Sequence, residues 1–237
     1  MVWRSFSRAV AQMGDPRFQK VLVIGVVSAA LSFAAIMAGL LALVPMIPDM
    51  GVGWADWTVD VLADLGAIVL TVIAAYVFFP AIATFFMGFF LDDIVAAVEA
   101  RHYPQVTARR GASLADEVLL GLKFALFAIA LNLLILPLYL VLLISGVGAP
   151  VTAALFLLIN GMLIGREFFE MVAVRHLPRG QVRRLRLARS GEAYRTGLAI
   201  AALFLIPFVN LIAPVLGAAM MTHTVHARPL TPRAAGY

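Results

Sequence analysis

Residues 21–44 read VLVIGVVSAALSFAAIMAGLLALV, a stretch without a single charged side chain. A helix needs about 20 residues to cross the hydrocarbon core of a bilayer, so this run is long enough to span it. It is also longer than the apolar part of a secretory signal, which has about 7 to 15 residues, so we expect it to remain as an anchor. The charged residues before it are four cations and one acid: Arg4, Arg8, Arg17, Lys20 and Asp15.

The composition of the whole chain extends this conclusion. Hydrophobic residues make up 63% of the 237 residues and charged residues only 13%, whereas soluble domains carry about 25% charged residues. Polar side chains this scarce cannot cover the surface of a globule, so lipid has to cover part of it. Long apolar runs indicate helices rather than a membrane β-barrel, whose strands alternate in polarity. We therefore expect an all-α integral membrane protein, folded as a single membrane domain.

A second apolar run, 67–91, is expected to span the membrane with a kink at Pro80, which removes one hydrogen bond from the helix. The loop between the two runs, 45–66, contains four aspartates and no lysine or arginine. Trp54 and Trp57 in this loop are aromatic residues of the kind found at membrane interfaces. These features predict that the loop is external.

Two basic segments are expected in the cytoplasm, because positive charge accumulates on that side of a membrane. The first is the N-terminal segment, 1–20. The second is 166–196, which holds eight arginines against three glutamates. A multi-pass protein of the bacterial inner membrane with a cytoplasmic N-terminus is the predicted arrangement.

The remaining apolar sequence predicts two partly inserted, re-entrant helical hairpins. The first covers 122–165 and contains Asn132 and Pro137; its second arm, 151–165, has only about fifteen residues and is short for a full span. The second covers 197–221, where Pro207, Asn210 and Pro214 are expected to interrupt a straight helix and to turn it near Asn210. Such a turn keeps the basic tail inside. Re-entrant backbone is tolerated where protein or water satisfies it, so these hairpins tend to line a cavity.

The hairpin residues Asn132, Pro137, Asn210 and Pro214 admit two interpretations. The similar stretches NLLILP at 132–137 and NLIAP at 210–214 suggest corresponding broken helices, which often mark a transport site. Alternatively, the two asparagines form hydrogen bonds with a neighbouring helix, because an unpaired amide in an apolar environment is costly. The sequence leaves both interpretations open.

Several motifs resemble the CysZ-type sulfate permease family, which includes proteins named after an etoposide-induced membrane protein. They occur before the first long helix, around Pro80 and most densely in the C-terminal third. The resembling stretches include DPRFQK at 15–20, NG at 160–161, GREFFE at 165–170 and IPFVNLIAPVLG at 206–217. The resemblance implies two spanning helices, two inserted hairpins, a homo-oligomer, and import of sulfate or a related oxyanion for cysteine synthesis.

The resemblance also implies an anion site before the first long helix, where helix-start amides and two adjacent arginines face the sulfate. Here Gln19 and Lys20 match that pair, and Arg17 lies two residues upstream. Lysine keeps a point charge but lacks the bidentate fork of arginine. Asp15 and Pro16 fit a helix start, which makes Arg17, Gln19 and Lys20 the candidate substrate-binding residues. The alternative is that Arg17 and Lys20 anchor the helix to lipid headgroups.

Other chemistries have less support. The arginines and leucines of 175–195 suit an interfacial helix on anionic lipid or a funnel that concentrates anions; nucleic acid is not an expected partner. His223 and His226 lack a nearby carboxylate or third histidine in the sequence, so no metal and no cofactor are expected. No catalytic motif is present, so an enzyme is not expected. A membrane scaffold or assembly protein is the alternative function.

The chain has no cysteine, so single cysteines test the predicted topology directly. A membrane-impermeant thiol reagent should label Asp56→Cys only from outside and Arg184→Cys only from the cytoplasm, with the parent protein as the unlabelled control. Labelling of Asp56→Cys from the cytoplasmic side alone would reverse the topology. Labelling of both variants from both sides would show dual insertion.

Overall fold

A computed structural model describes residues 2–43, 79, 82–106, 134, 137, 141 and 148–230, and this part of the chain is helical and contains no strand. The predicted all-α class is thus confirmed for these residues. The helices are α1 (Val2–Ala11), α2 (Pro16–Leu43), α3 (Leu91–His102), α4 (Gly148–Ala173), α5 (Arg179–Ala188), α6 (Ser190–Leu205) and α7 (Val209–His226).

The chain forms two units. One is Lys20–Phe90, and the other combines Met1–Gln19 with Leu91–Tyr237. The predicted external loop 45–66, most of the predicted span 67–91 with Pro80, and Asn132 lie outside the described residues. Of that second span, residues 82–88 are helical.

The unit Lys20–Phe90 contains most of α2, and one side of this helix is packed. Gly25 faces the side chain of Met87, which is fully buried like Ala83 and Ala29. The other sides expose Val23, Leu31 and similar residues. A helix that is apolar all round suits a bilayer, and Pro16–Gly39 is long and apolar enough to cross one.

The start of α2 follows the sequence prediction. Asp15 precedes the helix and its Oδ1 accepts a hydrogen bond from the backbone N–H of Arg17 at 2.9 Å. Pro16 is the first helical residue, where the missing N–H costs nothing because that position has no partner within the helix.

In the second unit, α7 is the central helix. Every residue from Ala213 to Val225 is buried, and α7 packs against α1, α3, α4 and α6. α6 and α7 run back on each other through the short connection 206–208. The amphipathic α1, in the predicted N-terminal segment, buries Ser5 and Ala9.

The second predicted hairpin is therefore a helical hairpin, but its turn differs from the prediction. The turn lies at Ile206 to Phe208, where Phe208 has a positive φ of 65°, and not near Asn210. Asn210 and Pro214 belong to α7. Pro214 removes one backbone hydrogen bond, which the buried packing around α7 tolerates without ending the helix.

The second arm of the first predicted hairpin is longer than expected. α4 has 26 residues and continues past Gly165 to Ala173, so at about 1.5 Å per residue it is about 39 Å long. Its part from Pro150 to Ala173 is apolar and long enough for a span. Arg166, Glu167 and Glu170 follow Gly165 and resemble the end of a membrane helix in sequence, but the helix continues through them.

α4 and α6 approach each other closely through glycines. A methyl group added to Gly197 of α6 would collide with the backbone of Gly161 and Gly165 in α4, and one on Gly161 would lie 2.9 Å from the Cα of Leu198. Small residues four apart allow helix backbones to approach in this way, a common contact in membrane proteins.

We expect Gly197→Ala to lower the midpoint of thermal unfolding in detergent, because overpacking typically costs about 1 to 3 kcal/mol. Gly191→Ala is the matched control: Gly191 lies in the same helix, and nothing lies within 4 Å of an added Cβ there. The control should be neutral or slightly stabilising, since alanine favours helix by up to about 1 kcal/mol. Equal midpoints for the two variants would show that the contact between α4 and α6 can accommodate an additional methyl group.

Candidate functional site

The predicted anion-binding residues lie at the start of α2. Arg17, Gln19 and Lys20 are exposed, and within the described residues neither Arg17 nor Lys20 forms an ion pair. The carboxylate of Asp15 already accepts a hydrogen bond from the backbone N–H of Arg17. One of the amides at the helix start is therefore not available to an anion. An anion here would depend chiefly on the side chains of Arg17 and Lys20.

The other predicted site residues are separated. Asn210 is half-buried near the start of α7, and its Oδ1 has no hydrogen-bond partner in the described part of the chain. Pro214 is fully buried in α7, whereas Pro137 is helical and exposed. No hydrogen bond in these parts of the structure joins Asn210 to Arg17 or Gln19. The predicted site residues thus do not form one connected polar cluster there.

A cavity of about 280 Å³ opens between α4, α5 and α6. Its polar lining consists of Arg166, Arg186, Ser190 and Tyr194. Both arginines contact Oε1 of Glu170, Arg186 at 2.8 Å and Arg166 at 3.3 Å. Glu170 thus links Arg166 of α4 to Arg186 of α5 beside this cavity.

Within the described residues, an extensive buried polar cluster centres on Glu99 of α3. Its Oε1 accepts hydrogen bonds from Nε2 of His176 at 2.7 Å and Nε2 of His226 at 3.0 Å. Its Oε2 lies 3.4 Å from Nε of Arg175, whose Nη1 contacts Asp92 at 2.7 Å. Burial alone would raise the pKa of Glu99, but the hydrogen bonds of the two histidines and the charge of Arg175 outweigh it and lower the pKa to about 2. Glu99 is therefore ionised at neutral pH.

A layer of aromatic rings extends this cluster. The ring of Tyr103 lies 4.9 Å from that of His226, and its hydroxyl lies 3.0 Å from Nδ1 of His223. The ring of His102 lies 4.9 Å from that of His223. Burial, together with the charges of His102, Arg8 and His226, lowers the pKa of His223 to about 4, so His223 is neutral at pH 7.

All four histidines of the chain thus lie in one cluster, which sequence reasoning missed. His223 and His226 have no third ligand near them in the sequence. The third and fourth candidates, Glu99 and His176, are separated from His226 in sequence and come together only through helix packing. The available signal was the stretch EARHY at 99–103, which places a carboxylate, a histidine and a tyrosine within five residues.

A second buried group fixes the end of α7. The guanidinium of Arg189 donates to the carbonyls of Thr224 at 2.6 Å and Val225 at 2.8 Å and pairs with Glu192 at 2.7 Å. Arg228 pairs with the other oxygen of Glu192 at 2.7 Å. A cation on the last carbonyls of a helix is favourable, so Arg189 has a structural role.

Comparison with known proteins addresses the family directly. The family described as "Sulfate transporter CysZ/Etoposide-induced protein 2.4" matches residues 5–214. This range includes the start of α2, Glu99 and His176 of the buried cluster, and the α6–α7 turn. No curated protein and no solved structure matches the chain. Because the family match extends over most of the sequence, the chain belongs to the family of sulfate transporter CysZ and etoposide-induced protein 2.4.

Proposed function

We propose that this protein is a permease for sulfate or a related oxyanion in the bacterial inner membrane, and that it supplies sulfur for cysteine synthesis. The observation that carries this proposal is the family match over residues 5–214, since the family is a membrane transporter family. The protein acts by binding and passing an anion rather than by catalysing a reaction.

The exposed apolar surface supports insertion into the membrane. Along α2, Val23, Val27 and Leu31 are 49 to 67% exposed, a costly arrangement in water but a favourable one in lipid. The turn of the α6–α7 hairpin is also apolar and exposed, with Ile206 at 48% and Phe208 at 84%. We therefore propose that this hairpin dips into the bilayer from the cytoplasmic side without crossing it.

The proposed partners of the exposed apolar surface are membrane lipids and other copies of the chain. Membrane lipids cover the exposed apolar residues, and we propose that the protein works as a homo-oligomer. An anion path through an assembly would explain how hairpins that only enter the membrane contribute to transport, because neighbouring subunits supply the other walls.

The anion first meets the exposed side chains of Arg17 and Lys20, beside Gln19. Sulfate is strongly hydrated, so a protein has to replace its water with charged and polar donors. The N-terminal end of α2 adds the partial positive charge of the helix, even though Asp15 takes one amide. A membrane scaffold of the same fold would need none of these groups for its role.

We expect the double variant Arg17→Ala/Lys20→Ala to lose more than tenfold in sulfate affinity. Each removed charge-assisted hydrogen bond is worth about 1.5 to 3 kcal/mol, and about 1.4 kcal/mol corresponds to a factor of ten. The measurement is concentration-dependent sulfate flux into liposomes that contain the purified protein, with chloride flux to detect leak.

Arg183→Ala/Arg184→Ala is the matched control, because it removes two exposed cations from α5 and leaves the start of α2 unchanged. An equal loss in both double variants would indicate a general electrostatic funnel instead of a site. Unchanged flux in the Arg17/Lys20 variant would return these residues to the role of lipid anchors. Absence of sulfate flux in the parent protein would favour the scaffold function.

Gln19→Arg restores two adjacent cations at positions 19 and 20. Because the planar guanidinium binds an oxyanion through two parallel hydrogen bonds, this variant should bind sulfate more tightly than the parent protein. Gln19→Lys adds the same charge without the fork and serves as the control in the same flux assay. Equal effects of the two substitutions would show that charge alone matters at this position.

A further inference from the structure

Three side chains from distant parts of the sequence bring their ligand atoms together inside the larger unit. One carboxylate oxygen of Glu99 and one ring nitrogen each of His176 and His226 all lie within 4.8 Å of one another. Glu99 and His176 are buried, and the side chain of His226 is only 2% exposed. Buried ligands of this kind differ from the exposed acidic groups that occur on most protein surfaces.

The orientation of the ligand atoms matches metal coordination. Both imidazole nitrogens face the same carboxylate oxygen, at 2.7 and 3.0 Å. Zinc binds histidine nitrogen and carboxylate oxygen at about 2.0 to 2.2 Å, so tetrahedral ligand atoms are about 3.4 Å apart. To admit an ion between the three atoms, Nε2 of His176 would have to move away from Oε1 of Glu99 by about 0.7 Å and Nε2 of His226 by about 0.4 Å.

The surroundings hold these ligands in place. Arg175 contacts the other oxygen of Glu99 at 3.4 Å, and Asp92 pairs with Arg175 at 2.7 Å, which offsets the positive charge beside the site. The ring of His226 packs between those of Tyr103 and His176, at 4.9 and 5.0 Å. Groups that orient the ligands without binding the ion are typical of metal sites.

We propose that Glu99, His176 and His226 form a binding site for a divalent transition-metal ion, for which Zn²⁺ is the best match. Two imidazoles and one carboxylate are a common zinc ligand set and leave a fourth position for water. Mg²⁺ and Ca²⁺ prefer sites made entirely of oxygen. Such a site does not depend on transport activity. The bound ion would connect three parts of the unit at one point: α3, the segment that follows α4, and the end of α7.

The test uses the full-length protein in detergent after treatment with a chelator. Titration with Zn²⁺ in a calorimeter should show one ion bound per chain. Single substitutions His176→Ala and His226→Ala should each weaken binding at least tenfold, because each removes one of three ligands. Titration with Co²⁺ gives a second readout, since the intensity of its visible absorption reports coordination by these groups.

His102→Ala is the matched control: it removes a histidine of the same cluster whose ring contacts His223 but which is no ligand in the proposed site. Zinc affinity of this variant should stay within twofold of the parent. His223→Ala separates the proposed site from simple chelation by the neighbouring pair His223 and His226, and it should also retain binding.

Three outcomes would contradict the proposal. The first is the absence of stoichiometric Zn²⁺ and Co²⁺ binding by the parent protein, which decides the question whether or not the variants fold. The second is loss of binding in His223→Ala together with retention in His176→Ala. Glu99→Gln keeps the shape of the side chain and removes its charge, so a folded variant with unchanged affinity would likewise exclude Glu99 as a ligand.

Discussion

The carboxylate of Glu99 is the constraint on which the larger unit depends, because a charge cannot be buried without partners. Removing one partner from a buried ion pair typically costs about 3 to 5 kcal/mol. Glu99 meets this requirement with His176, His226 and Arg175, which come from the segment after α4 and from the end of α7. α3 can therefore dock only when both of those segments are in place, and the polar cluster fixes three helices relative to one another.

The apolar contacts of the same unit follow a different rule. Near Gly161, Gly165 and Gly197 the helices α4 and α6 are so close that their backbones touch, and the association rests on packing of small residues. At the ends of the helices, charged residues make the stabilising contacts. Arg189, for example, donates hydrogen bonds to the last carbonyls of α7. Glycine contacts hold the apolar middle of the unit, and ion pairs fix its polar end.

The sequence predicts the features that depend on local chemistry. Runs of apolar residues predict the long helices, and Asp15 with Pro16 predicts the start of α2, because capping involves neighbouring residues. The predicted position of the α6–α7 turn, near Asn210, was wrong by a few residues. Pro207 and Pro214 could each interrupt a helix as far as the sequence shows, and only packing decides which of them does. The Glu99 cluster could not be predicted, because its partners lie 77 and 127 positions away and no local pattern joins them.

Several arginines of the basic segment 166–196 form ion pairs within the protein. Arg175, Arg186 and Arg189 are engaged by Glu99 and Asp92, Glu170 and Glu192, and Val182 and Leu185 of α5 are buried in the protein. Fewer groups are then left for binding lipid or concentrating anions than the sequence suggests. At the start of α2, the two positive charges of Arg17 and Lys20 exceed the single negative charge of Asp15 by one. In the permease proposed above, the permeating ion has to bind strongly enough to enter and weakly enough to leave, and a small excess of charge on exposed side chains is compatible with both conditions.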